Sequence, residues 1–82
     1  MSHIYSKEIS IKTIDNAKEL TRIASKYEED IDLIRGRYVV DAKSIMGIFT
    51  LDLIRPATLL IHTDDVEKAN SLFKELDKVG VR

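Results

Sequence analysis

Two apolar periods alternate along this chain, and their order leaves few folds open. In "KEISIKT", residues 7–13, Ile9 and Ile11 stand one polar residue apart, the period of a strand with one buried face. In "NAKELTRIASKY", Leu20, Ile23, Ala24 and Tyr27 recur at three- and four-residue spacing, which gives a helix one apolar stripe. Glu19 and Arg22 fall on flanking rows, so the opposite face meets water. Asp15 or Asn16 is the expected cap, because a short side-chain oxygen accepts from a free first-turn amide.

The same two periods recur downstream. "DIDLIRGRYVVDA" reads as a hairpin: Ile31 and Leu33 point one way and Asp32 the other, Arg35-Gly36 supplies the turn, and Tyr38, Val40 and Ala42 line the return strand. A short helix opens at Ser44, and Pro56 marks the loop after it. "ATLLIHT", residues 57–63, is the fourth strand. Asp64 or Asp65 then caps a last helix striped by Val66, Ala69, Leu72, Phe73 and Leu76, and Gly80 ends it. The order is β-α-β-β-α-β-α. It predicts an α+β open-faced sandwich, a four-stranded antiparallel sheet with three helices on one face, as a single domain over residues 1–82.

Composition narrows the chemistry. The chain has no cysteine, which excludes disulfides and thiolate metal sites. Its net charge is −1 with acids and bases interspersed, so no basic face is offered to nucleic acid. Apolar runs such as "ATLLI" fall far short of the roughly 20 residues that span a bilayer. "MSHIYSKEISIK" has no apolar stretch of the signal-peptide kind. The expectation is a cytoplasmic protein with no membrane segment, no cofactor and no metal.

The densest apolar stretch is "DAKSIMGIFTLDL", where Ile45, Met46, Ile48, Phe49, Leu51 and Leu53 crowd behind Ser44. Ser44 suits a helix N-cap, worth about 1 kcal/mol. Amides at Ile45 and Met46 and the helix dipole would equally favour a phosphate on that hydroxyl. A helix this apolar around its circumference must send some side chains into the core and leave others as a contact patch. Glu28-Glu29-Asp30 reads as a solvated helix end, Arg35 and Arg37 as solubilising charges, and His62 as a solvated residue on the open face of the sheet. His3 falls in a terminal segment expected to be mobile.

"SKYEEDIDLIRGRYVVDAKSIMGIFTLDL" resembles the middle of HPr, the small phosphocarrier of the bacterial sugar phosphotransferase system. "AKSIMGIFTLDL" is similar to the regulatory-serine segment of HPr in Firmicutes. The resemblance implies the HPr fold over about residues 8–79 and a carrier rather than an enzyme. It also implies that Ser44 is the target of an ATP-dependent serine kinase. The phosphorylated form would bind a catabolite-control transcription regulator, with Ile45 and Met46 as the implied partner contacts; Phe49, on the same short helix, is expected beside them.

HPr also carries a histidine, followed two residues later by arginine and then proline, between its first strand and first helix. The corresponding stretch here, "IKTIDNAKEL", is shorter and has none of these, with Thr13 to Asn16 in their place. A hydroxyl phosphate lacks the transfer potential of a phosphoimidazole, so Thr13 is no substitute. The leading expectation is therefore a regulatory adaptor without the carrier site. A phosphocarrier using His62 or Asp15, and an interaction module outside sugar transport, are the alternatives. A monomer or weak homodimer is expected; strand "RYVVDA" offers an edge, although the hairpin's charges argue against pairing there.

Overall fold

The structure is a computed structural model and describes residues 3–82, leaving Met1 and Ser2 outside. Its elements are β1 (Ile4–Ile9), α1 (Ile14–Ala24), β2 (Ile31–Arg35), β3 (Tyr38–Asp41), α2 (Ile45–Phe49), β4 (Ala57–His62) and α3 (Val66–Lys78). The strands form one antiparallel sheet in the order β1-β4-β2-β3. The chain is therefore the α+β sandwich its periodicities predict.

Strand alternation divides the sheet into two faces. Ala57, Leu59 and Ile61 of β4 and Ile31 and Leu33 of β2 are buried, whereas Thr58, Leu60, His62, Asp32 and Ile34 between them are half-exposed. The buried face meets Ala17, Leu20, Ile23 and Ala24 of α1, Ile48 of α2, and Ala69, Leu72 and Leu76 of α3. Each leucine or isoleucine so enclosed contributes about 1.5–3 kcal/mol relative to exposure. This apolar layer holds the helices against the sheet.

The first strand lies earlier than its sequence pattern suggests. β1 ends at Ile9, where Ile9 still pairs with Ala57; Ser10 N instead donates to Arg82 O at 3.3 Å. Ile11 is buried as expected, but in a loop. Lys12 then adopts φ 76°, the chain's one described non-glycine residue with positive φ, and Thr13 N donates to Ile11 O at 3.0 Å. That contact closes a γ-turn of the strained kind. The strain is held by Lys12 N donating to Leu53 O at 2.7 Å and Asn16 Nδ2 donating to Ile11 O at 2.8 Å.

Other boundaries also differ. Thr13, not Asp15 or Asn16, caps α1: its backbone is extended and its Oγ1 accepts from Asn16 N at 3.0 Å. Asp65 caps α3, accepting from the amides of Glu67 and Lys68. Val66 is exposed, because it occupies the first turn rather than the buried stripe, and Phe73 is half-buried. Tyr38 is 68% exposed, since β3 lies at the sheet edge with no further described strand to cover it. Gly36 takes φ 59° in the hairpin turn, a conformation glycine adopts without a Cβ clash.

Candidate functional site

Ser44 stands where the chain leaves β3 for α2. Its backbone is extended and its Oγ accepts from Gly47 N at 3.2 Å, an N-cap. Two contacts fix the approach. Asp41 Oδ1 accepts from Lys43 N at 2.8 Å, and Lys43 Nζ donates to Tyr27 O at 2.6 Å. The serine turn is thereby tied to the loop after α1. A Cβ at position 47 would lie 3.3 Å from Val40 Cβ, so glycine lets α2 sit close against β3.

The apolar crowd behind Ser44 divides as a short helix must. Ile48 is fully buried in the core, and Ile45 is half-buried against it. Met46 is 73% exposed and Phe49 42% exposed. Of the three expected contact residues, Met46 and Phe49 face solvent and Ile45 largely faces the core. Exposed Ile14 and Ile54, missed in the sequence, stand on either side of the Lys12–Leu53 bond, in the first turn of α1 and the loop after α2. Neither lies within the dense apolar run at 45–53.

At the start of α1, Thr13 and Asn16 are occupied in capping and in holding the Lys12 turn, and Asp15 lies in the first turn of the helix. The histidines lie elsewhere. His62 is on the outer sheet face as expected, but it is only half-exposed and its Nε2 lies 3.0 Å from Asp32 Oδ2. Asp32 also stands opposite Asp41 across β2 and β3. His3, expected to be mobile, donates its amide to Asp64 Oδ1 at 2.8 Å and its carbonyl accepts from Thr63 N at 3.0 Å. Among the described residues no group of three or more His, Asp or Glu side chains could hold a metal ion. No described helix is long and apolar enough to cross a membrane.

The acidic cluster after α1 is less solvated than its composition suggests. Glu29 is half-buried and its Oε2 accepts from Lys68 Nζ at 2.6 Å. The Lys68 ammonium holds the Glu29 carboxyl below the usual carboxylate range. Glu75 is lowered likewise by Lys26, whose Nζ is 2.6 Å from Glu75 Oε2, and it also accepts from Tyr27 Oη at 3.0 Å. Burial pushes the Tyr27 hydroxyl up. These pairs fasten α3 to the loop that Lys43 also grips.

The architecture has solved relatives. HPr-C-His from Thermoanaerobacter tengcongensis superposes with a TM-score of 0.66 at 27% identity, over 94% of this chain and 89% of that one. The phosphocarrier protein HPr from Bacillus anthracis matches with a TM-score of 0.67 at 22% identity, over 88% and 95%. The histidine-containing phosphocarrier protein of a Mycoplasma gives 0.65 at 20% identity, over 93% and 89%. The last two likenesses show the fold. Residues 14–79, from the first residue of α1 to the residue that closes α3, match the family described as "PTS HPr component phosphorylation site". On that match the chain belongs to the HPr phosphocarrier family of the phosphotransferase system.

Proposed function

We propose that this protein is an HPr-family adaptor that has left the phosphohistidine relay and binds partner proteins through the Ser44 helix, with Ser44 phosphorylation as its switch. The observation that carries this reading is the pairing of a Ser44 N-cap with exposed Met46 and Phe49 on one short helix. Ile48, fully buried, anchors that helix in the core while Met46 and Phe49 face outward. Phosphate on Ser44 would change the charge beside an apolar contact surface while leaving the domain folded. The partners implied are an HPr-type serine kinase and a catabolite-control-type transcription regulator.

The same reading accounts for the start of α1. In place of a histidine, arginine and proline the chain has Thr13, Ile14, Asp15 and Asn16, and the Thr13 and Asn16 side chains serve the cap and the Lys12 turn. Phosphoryl transfer through His62 has against it the carboxylate of Asp32 at 3.0 Å, which would repel an incoming phosphate. Asp15 carries the same sign of charge as the donor. Binding of the regulator to the kinase-treated protein, and its loss in Met46→Asp, tests the proposal.

A further inference from the structure

Lys43 precedes Ser44 in the chain, yet its ammonium is held by another part of the molecule. Nζ donates to Tyr27 O at 2.6 Å, across 16 residues of sequence. That acceptor is a neutral carbonyl, and among the described residues no carboxylate forms an ion pair with Lys43.

Tyr27 is where the loop after α1 meets α3. Its Oη lies 3.0 Å from Glu75 Oε1 and 3.3 Å from Ser71 Oγ, and Lys26 pairs with the same glutamate. Two residues on, Glu29 has Oε2 on Lys68 and Oε1 buried without a partner. The Glu29 carboxyl is held low first by the Lys68 hydrogen bond and, more weakly, by the charge of Lys43. One lysine thus joins the serine turn to a loop that carries Glu28, Glu29 and Asp30.

We propose that Lys43 relays the state of Ser44 to this loop: a phosphate on Ser44 draws the ammonium off the Tyr27 carbonyl and frees the loop from the serine turn. The inference rests on the phosphorylation of Ser44 proposed above and names what that phosphate changes inside the protein. A phosphoserine carries about −1.5 to −2 charges at neutral pH and three strong acceptor oxygens. The existing bond has charge on the donor alone, whereas a phosphate puts charge on both partners and adds Coulomb attraction. Successive Cα atoms are about 3.8 Å apart, so the four-carbon lysine stem reaches a phosphate on the next residue by side-chain rotation. Asp41 favours the exchange. Its Oδ1 accepts from the Lys43 amide, so a dianion on this turn meets a carboxylate and needs a cation beside it. With Lys43 withdrawn, Glu29 keeps Lys68 alone, and the acidic loop becomes looser and more negative.

Heteronuclear NMR of the full chain, with phosphoserine installed at position 44 during synthesis, tests the relay. The Tyr27 carbonyl carbon and the Glu28 amide nitrogen share one peptide group, and both signals are expected to shift with the phosphate. Lys43→Met should move them in the same direction without phosphate, and the phosphate should then add nothing. Lys43→Arg, which keeps a cation, should restore the response, a rescue that a merely loosened turn would not give. Tyr27 and Glu28 signals that stay in place while the Gly47 amide moves would overturn the proposal. So would a response that survives Lys43→Met. Because the phosphate is installed without a kinase, either negative result removes the relay and leaves the α2 contact surface and its switch standing.

Discussion

The Ser44 hydroxyl accepts from the Gly47 amide at 3.2 Å, so the residue proposed as a switch is also the cap that starts its own helix. The two roles are separable. Ser44→Ala leaves the Gly47 amide without its side-chain partner and should cost about 1 kcal/mol. In a domain of this size that lowers the melting midpoint by about 4–8 °C. Ser44→Asp, which keeps an acceptor and adds negative charge, should recover most of the loss in a thermal melt.

Met46 and Ile48 lie two residues apart and answer to different forces. Met46→Asp places charge on a side chain that is 73% exposed, so the melting midpoint should hardly move while regulator binding is lost. Ile48 is fully buried, and Ile48→Ala should cost about 2–5 kcal/mol. A binding assay read beside a thermal melt separates the two. Unaffected binding in Met46→Asp would remove the α2 surface from the account.

The fold was legible because apolar side chains obey the period of the element that buries them. Leu59 and Ile61, or Leu72 and Leu76, announce both the element and its inward face. What stayed hidden depends on contacts remote in sequence. Ile9 and Ile11 alternate as in a strand, yet β1 ends at Ile9 because Ser10 bonds to Arg82 and Lys12 to Leu53. Glu29 reads as solvated until α3 brings Lys68 against it. At the site, the helix and its cap were visible in the residues, and the split between inward Ile45 and outward Met46 and Phe49 awaited the packing of α2 on the sheet.

Lys12 offers a test with an uncommon sign. A non-glycine residue at φ 76° carries strain of about 1–3 kcal/mol, and glycine in its place forfeits about 0.5–1 kcal/mol of chain entropy. Lys12→Gly should therefore raise the denaturation midpoint. Lys12→Val, whose branched Cβ suits that conformation least, should lower it.

Two carboxylates, a lysine and a tyrosine make stability fall at acid and at alkaline pH. Glu29 and Glu75 are held below their ordinary value of 4.5 by Lys68 and Lys26. Their contribution is full above that value and is lost as the pH falls through the depressed ones. Lys68 is raised above 10.5 by Glu29, and Tyr27 above 10.0 by burial. Stability from these two is full below those values and declines as the pH rises through the raised ones. Glu29→Gln should shallow the acid limb in denaturant titrations, and an unchanged limb would assign it to other carboxylates.

The most direct test of the central claim is the intact mass of the folded protein after incubation with an HPr serine kinase and ATP, beside a Ser44→Ala control. One added phosphate in the wild type and none in the variant is the predicted result. No phosphate on the folded wild-type protein, or a phosphate that persists in Ser44→Ala, would contradict the switch.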